Sequence, residues 1–196
     1  MNDQDINIPS AVEQILSETD DIEFQMTSEL SVGALLQTLA ASKPAGHFLE
    51  LGTGTGVATA WLASGMDAQS KLVTVENDSA VAAIAQKYLD NNLQISFHVE
   101  DAAASLEHIE QIGQQFDLIF ADTWTGKYTH LERVLDLLKP GGLYVIDDML
   151  PQENWPEGHD VKVAELVKVL ESNRELLLTK LNWASGIIIA AKRTVY

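Results

Sequence analysis

At 196 residues, with 46% hydrophobic and 21% charged side chains, the chain suits one packed domain and carries too little charge for a disordered one. Against 29 Asp and Glu stand 12 Lys and Arg, a formal charge of −17 that repels phosphate backbones and anionic bilayers and so argues against nucleic-acid and membrane partners. The absence of cysteine excludes disulfides, thiolate metal sites and cysteine catalysis. The polar start lacks the regions of a secretory signal, and no apolar run approaches the ~20 residues of a bilayer span, so a cytoplasmic location is expected.

Residues 1–8 read as a polar tail. Pro9 is placed to open a helix with Ala11, Val12, Ile15 and Leu16 on one face. A second helix is expected over 28–42, where Leu30, Ala34, Leu35 and Leu39 recur at helical spacing and Pro44 and Gly46 stop it. From His47 onward, short apolar runs alternate with helical patterns: strands at 47–51, 72–76, 95–99, 116–121 and 143–146, and helices at 57–64, 79–90, 102–112 and 129–138. Such alternation needs crossover connections and favours a parallel sheet covered on both faces. The ending differs. After a helix over 161–170, two strand-like runs at 175–181 and 187–191 are separated by five residues, too few for a helical crossover, so they should be antiparallel.

Glu50-Leu-Gly52-Thr-Gly54-Thr-Gly56 stands where the first strand hands over to a helix. Glycines allow a sharp turn and close backbone approach to a ligand, but such turns also serve NAD, FAD and nucleoside phosphates, or are merely structural. Glu76 ends the second strand 20 residues after Gly56, where a carboxylate can accept from ribose hydroxyls or simply be solvated. Asp101-Ala102 follows the third strand; Asp101 could receive an adenine amino hydrogen, cap the next helix, or do both. A carboxylate at Glu50, beside the turn, suits a cationic ligand better than a pyrophosphate.

Phe48-Leu-Glu-Leu-Gly-Thr-Gly-Thr-Gly56 resembles motif I of class I S-adenosylmethionine-dependent methyltransferases. Glu76 and Asp101 fall at that family's ribose and adenine positions, and 137–146 resembles its turn into the fifth strand. The resemblance covers roughly residues 26–193. It implies an α/β, Rossmann-like three-layer sandwich, with a mostly parallel seven-stranded sheet in the order 3-2-1-4-5-7-6 and strand 7 antiparallel. It also implies a single domain over 1–196, made of a helical extension (1–45) and a Rossmann-like core (46–196). The cofactor-binding set it implies is Met26, Glu50, Gly52, Thr53, Gly54, Gly56, Glu76, Asp101, Ala102, Asp122 and Trp124, for S-adenosylmethionine.

Asp122 ends the fourth strand and Asp147-Asp148 ends the fifth. Three carboxylates outside these strand ends could hold a hard divalent cation, Mg²⁺ or Ca²⁺, able to bind and acidify an acceptor hydroxyl; alternatively Asp122 and Asp147 cap the sheet edge and touch cofactor or acceptor without an ion. This arrangement resembles the catechol and caffeoyl-CoA O-methyltransferase branch, in which an Asp and an Asp-Asn pair bind the metal; Asp148 stands where Asn is usual. Trp124 and Tyr128 match residues after the fourth-strand acid, and 26–33 resembles the segment flanking the cofactor's sulfur. Thr125 departs from the branch, which often has lysine there as a proposed base. Lys127 follows two residues on, so proton removal would fall to a metal, to Lys127 or to the acceptor itself. Asp122 and Lys127 are the catalytic candidates.

The 149–159 stretch reads as a lid or acceptor wall, with Met149 and Trp155 packing on an apolar acceptor or pinning the loop to the core. The five histidines show no metal spacing; His47 and His98 read as structural, and His159 alone lies in a loop able to reach the site. The leading expectation is O-methylation of a small, hydroxylated aromatic molecule, with the N-terminal helices able to mediate a homodimer as in the resembled branch. Two alternatives stay open: an NAD-type Rossmann oxidoreductase, and a protein that binds S-adenosylmethionine without transferring its methyl group.

Overall fold

A computed structural model describes residues 5–152 and 155–194; the first four residues of the expected tail and two of the expected 149–159 wall lie outside the described residues. Two helices come first, α1 (Ser10–Asp21) and α2 (Leu30–Ala41). Pro9 opens α1 as its N-cap, with extended backbone, its carbonyl accepting from Val12 and Glu13 N–H at 2.9 and 3.2 Å. Then follow β1 (His47–Leu51), α3 (Val57–Gly65), β2 (Lys71–Glu76), α4 (Ser79–Leu89), β3 (Ile95–Val99), α5 (Ala102–Gln111), β4 (Phe116–Ala121), α6 (Trp124–Lys127), α7 (Leu131–Asp136), β5 (Leu138–Ile146), α8 (His159–Ser172), β6 (Leu176–Leu181) and β7 (Ile187–Lys192).

The seven strands form one sheet in the order β3-β2-β1-β4-β5-β7-β6, with β1 to β5 parallel and β7 antiparallel to both neighbours. This is the expected order and direction. The strand period of two splits the apolar residues between two layers. Leu49, Leu51, Ile119 and Tyr144 pack beneath α5, α7 and α8. Phe48, Leu72, Phe120 and Val145 pack against α1 to α4. Both faces being covered, the parallel strands are apolar almost throughout.

The N-terminal helices join this core. Val12, Ile15, Val32 and Leu36 are fully buried in the same cluster as Phe48 and Trp61. Each such side chain stabilises the fold by about 1.5–3 kcal/mol relative to exposure. Gly33 lets α2 lie directly on Trp61: a Cβ there would stand 2.1 Å from the indole ring.

The segment after β4 differs from expectation. Instead of one helix over 129–138, a short turn α6 precedes α7, and His130 stands between them at φ 58°. Among the described residues, no helix is long and apolar enough to cross a membrane.

Candidate active site

Because β1 to β5 run parallel, their carboxyl ends share one edge of the sheet. The chain moves outward from β1 to β3 and then returns to β4, leaving a crevice between the ends of β1 and β4. The glycine turn leaves β1 on one side of this crevice and Asp122 leaves β4 on the other. Asp122 N–H donates to Leu51 O at 3.0 Å. Gly52, at φ 100°, could not be replaced cheaply: a Cβ would lie 3.1 Å from Asp122 O.

A cleft of about 300 Å³ opens over the turn, walled by Phe24, Gly52, Gly54, Glu76, Val81 and Asp122. The Glu76 carboxylate accepts from Gly54 N–H at 2.9 Å and from Asn77 and Asp78 N–H at 2.9 and 3.0 Å. It therefore ties the β2 end to the glycine turn. Asp101 caps α5, accepting from Ala103 and Ala104 N–H through Oδ1. It also lines, with Ala102, a small recess that shares Gly52, Glu76 and Thr123 with the larger cleft. The capping role and the cleft-facing position coexist. Thr125 also lines this recess.

Glu50 is placed differently from the other residues of the turn. It is fully buried beneath the turn, where Thr59 and Thr74 hydroxyls both donate to Oε2 at 2.6 Å. Thr53 extends the network through Thr74 at 2.5 Å. Oε1 has no hydrogen-bond partner among the described residues. Burial pushes the Glu50 carboxyl up to about 8, the two threonines pulling partly back.

A second cleft of about 330 Å³ lies beyond Asp122, walled by Trp124, Lys127, Tyr128, Asp147, Trp155 and His159. The aromatic rings interlock: Trp124 meets Tyr128 and His159 edge-on, with centroids 5.7 and 5.9 Å apart, and Trp155 lies 4.4 Å from His159. Tyr128 Oη and His159 Nε2 are hydrogen-bonded at 2.9 Å, and burial lowers the His159 pKa. Trp124, expected beside the cofactor, thus stands on this second wall, 48% exposed. Met26, Thr27, Ser28, Asp122 and Thr123 line both clefts, which therefore adjoin.

Lys127 reaches the centre through the backbone. Thr125 is extended and Gly126 stands at φ 93°, held by the Tyr144 hydroxyl, which donates to Gly126 O at 2.5 Å. A Cβ on Gly126 would lie 2.9 Å from Leu51. This bend turns Lys127 inward, 5% exposed, with Nζ 3.4 Å from Asp122 Oδ1 and 3.0 Å from Asp147 O. Ser28 donates to Asp122 Oδ2 at 3.3 Å from the segment before α2. Burial raises the Asp122 carboxyl well above the ordinary range, opposed by Lys127 and reinforced by Asp147 and Asp148. Asp147 is raised for the same first reason, opposed by Ser185.

Asp122, Asp147 and Asp148, the carboxylates expected to hold a metal, all line the second cleft. Among the described residues, no three His, Asp or Glu side chains are grouped to hold an ion. Asp147 Oδ1 is committed to the Ser185 hydroxyl and to Asp148 N–H, and the Lys127 ammonium occupies the approach between Asp122 and the Asp147 carbonyl. The contacts of Ser28 with Asp122 and of Ser185 with Asp147 carried no sequence signal, since they span 94 and 38 residues. Gly126, by contrast, was a visible hint of a sharp bend after the β4 acid.

Known proteins fit this architecture. Residues 7–185 match the family described as O-methyltransferase. A catechol O-methyltransferase of Niastella koreensis is 35% identical over 123 residues, covering 60% of this chain and 56% of the relative. The chain spans little more than half the length of that relative. The O-methyltransferase of Bacillus cereus in complex with SAH superposes with a TM-score of 0.85 at 23% identity, covering 96% and 93% of the two chains. The O-methyltransferase TomG of Streptomyces achromogenes, involved in tomaymycin synthesis and solved with SAM, gives 0.84 at 20% identity, covering 96% and 92%. The sequence match over most of the chain and the shared sheet order agree: this chain belongs to the O-methyltransferase family.

Proposed function

We propose that the protein transfers the methyl group of S-adenosylmethionine to a hydroxyl oxygen of a small aromatic molecule. The observation that carries this reading is the pair of adjoining clefts, one over the glycine turn and one walled by aromatic rings, with Met26, Ser28 and Asp122 common to both. A donor in the first cleft presents its sulfonium end to an acceptor in the second.

The donor's chemistry fits the residues present. Glu76 offers a carboxylate to ribose hydroxyls, with Gly54 N–H released in exchange. Asp101 keeps Oδ2 outside its capping bonds for an adenine amino group. Glu76 and Asp78 on the wall of the first cleft favour a cationic ligand over a pyrophosphate. The matched relative named for catechol supports a hydroxylated aromatic acceptor, as do the Trp124, Tyr128 and Trp155 walls.

Bound donor supplies an electrophilic methyl carbon. The acceptor oxygen forms the new C–O bond as the C–S bond breaks; the electron pair stays on sulfur, leaving the neutral thioether S-adenosylhomocysteine, and the hydroxyl proton passes to solvent. The chain's own contribution is alignment across the shared wall and a fixed electrostatic field. Calorimetry with S-adenosylhomocysteine should give a single binding site and a raised melting temperature. An absence of both would defeat the proposal, and heat with NAD instead would favour an oxidoreductase.

A further inference from the structure

We infer that the Lys127 ammonium takes the place of a divalent cation in this active site and donates directly to the acceptor oxygen; this rests on the methyltransferase reading above. An ammonium has three N–H bonds. Two of them meet Asp147 O at 3.0 Å and Asp122 Oδ1 at 3.4 Å. Among the described residues, no further hydrogen-bond partner of Nζ is recorded, and Lys127 lines the acceptor cleft. The third N–H is therefore available to a bound acceptor.

The surroundings are arranged for one fixed positive charge. Asp122, Asp147 and Asp148 all stand on the cleft wall with Lys127. The ammonium is buried, and these neighbouring acids, together with the main-chain carbonyl, stabilise it there. A metal ion entering the same space would meet the ammonium's like charge in a poorly screened setting. At Asp147, Oδ1 is already taken by the Ser185 hydroxyl and Asp148 N–H. The backbone explains how the lysine gets there. The Thr125–Gly126 bend, pinned by Tyr144, delivers position 127 to the site.

The chemistry follows from a single charge-assisted hydrogen bond. Lys127 keeps its proton throughout. It stabilises the acceptor as an oxyanion, whose proton has gone to solvent, while C–O bond formation and C–S cleavage proceed as described. One donor needs one oxygen, so a vicinal pair of hydroxyls gains no chelation, and a monohydroxylated aromatic ring suffices.

Electron paramagnetic resonance of Mn²⁺ added to the wild-type protein with S-adenosylhomocysteine tests this without depending on turnover. The expected spectrum is that of free Mn²⁺, with methyl transfer to mono- and dihydroxybenzenes unchanged by EDTA. Lys127→Met should keep its affinity for S-adenosylhomocysteine and lose transfer by about 100-fold or more, the scale of removing one transition-state donor. One Mn²⁺ bound per chain, transfer abolished by EDTA, or a folded Lys127→Met with wild-type transfer would each overturn the inference. The wild-type spectrum decides even where the variant does not fold. Absence of S-adenosylhomocysteine binding would instead defeat the methyltransferase reading itself.

Discussion

Replacing Glu76 by alanine removes the carboxylate that closes the donor cleft. In the free protein it accepts three backbone N–H groups, from Gly54, Asn77 and Asp78. A carboxylate has about four acceptor positions, so two ribose hydroxyls can be received only if the Gly54 bond is given up. Two charge-assisted bonds at about 1.5–3 kcal/mol each, less one surrendered, leave a net of about 1.5–3 kcal/mol. That corresponds to roughly 10- to 150-fold weaker binding of S-adenosylhomocysteine. The cost to the fold should be small by comparison, because the Asn77 and Asp78 groups freed by the substitution lie at an exposed strand end where water can replace the acid. Isothermal calorimetry gives the affinity and a melting curve checks the fold. A Glu76→Ala protein that binds S-adenosylhomocysteine as tightly as its parent would refute this placement of the donor.

Three further perturbations test separate parts of the structure. The folded protein keeps a proton on Glu50 between the ordinary 4.5 and about 8, whereas the unfolded chain has lost it. The associated stability is full below the lower value and drains as pH rises through the upper one. Glu50→Gln should therefore flatten the fall in melting temperature between about pH 5 and about pH 8, and an equally steep fall would contradict the assignment. Gly33→Ala forces a methyl group into Trp61 at 2.1 Å and should cost about 1–3 kcal/mol in urea denaturation; an unchanged midpoint would contradict the α2–α3 packing. Trp155→Ala removes the ring tilted against His159 with centroids 4.4 Å apart; it should raise the acceptor KM by roughly 2- to 10-fold while leaving S-adenosylhomocysteine affinity alone, in keeping with an aromatic contact of about 0.5–1.5 kcal/mol. A change confined to donor affinity would place Trp155 on the wrong cleft.

The sheet was legible because its rules are local. Continuous apolar runs such as Leu118-Ile119-Phe120 mark strands buried on both faces, and the five-residue gap before β7 leaves no room for a crossover. The glycine turn and Glu76 were readable because their spacing along one β-α-β unit determines their spacing in space. The acceptor side was harder. Whether a lysine five residues after Asp122 points in or out depends on the backbone dihedrals of Thr125 and Gly126, and on Tyr144 from another strand. The strand-end carboxylates are visible in the sequence, but the contact of Asp147 with Ser185 is one that only tertiary packing creates. Glu50 was recognised as part of the motif, yet its burial behind Thr59 and Thr74 depends on how α3 and β2 close over it.

The most direct test of the account follows a labelled methyl group from S-adenosylmethionine into a panel of phenols, amines and carboxylic acids, with products identified by mass spectrometry. The account predicts an aryl methyl ether, one methylene heavier than its parent phenol, formed with one equivalent of S-adenosylhomocysteine. Tight binding of S-adenosylhomocysteine with no label in any acceptor, or label found only on nitrogen, would contradict it.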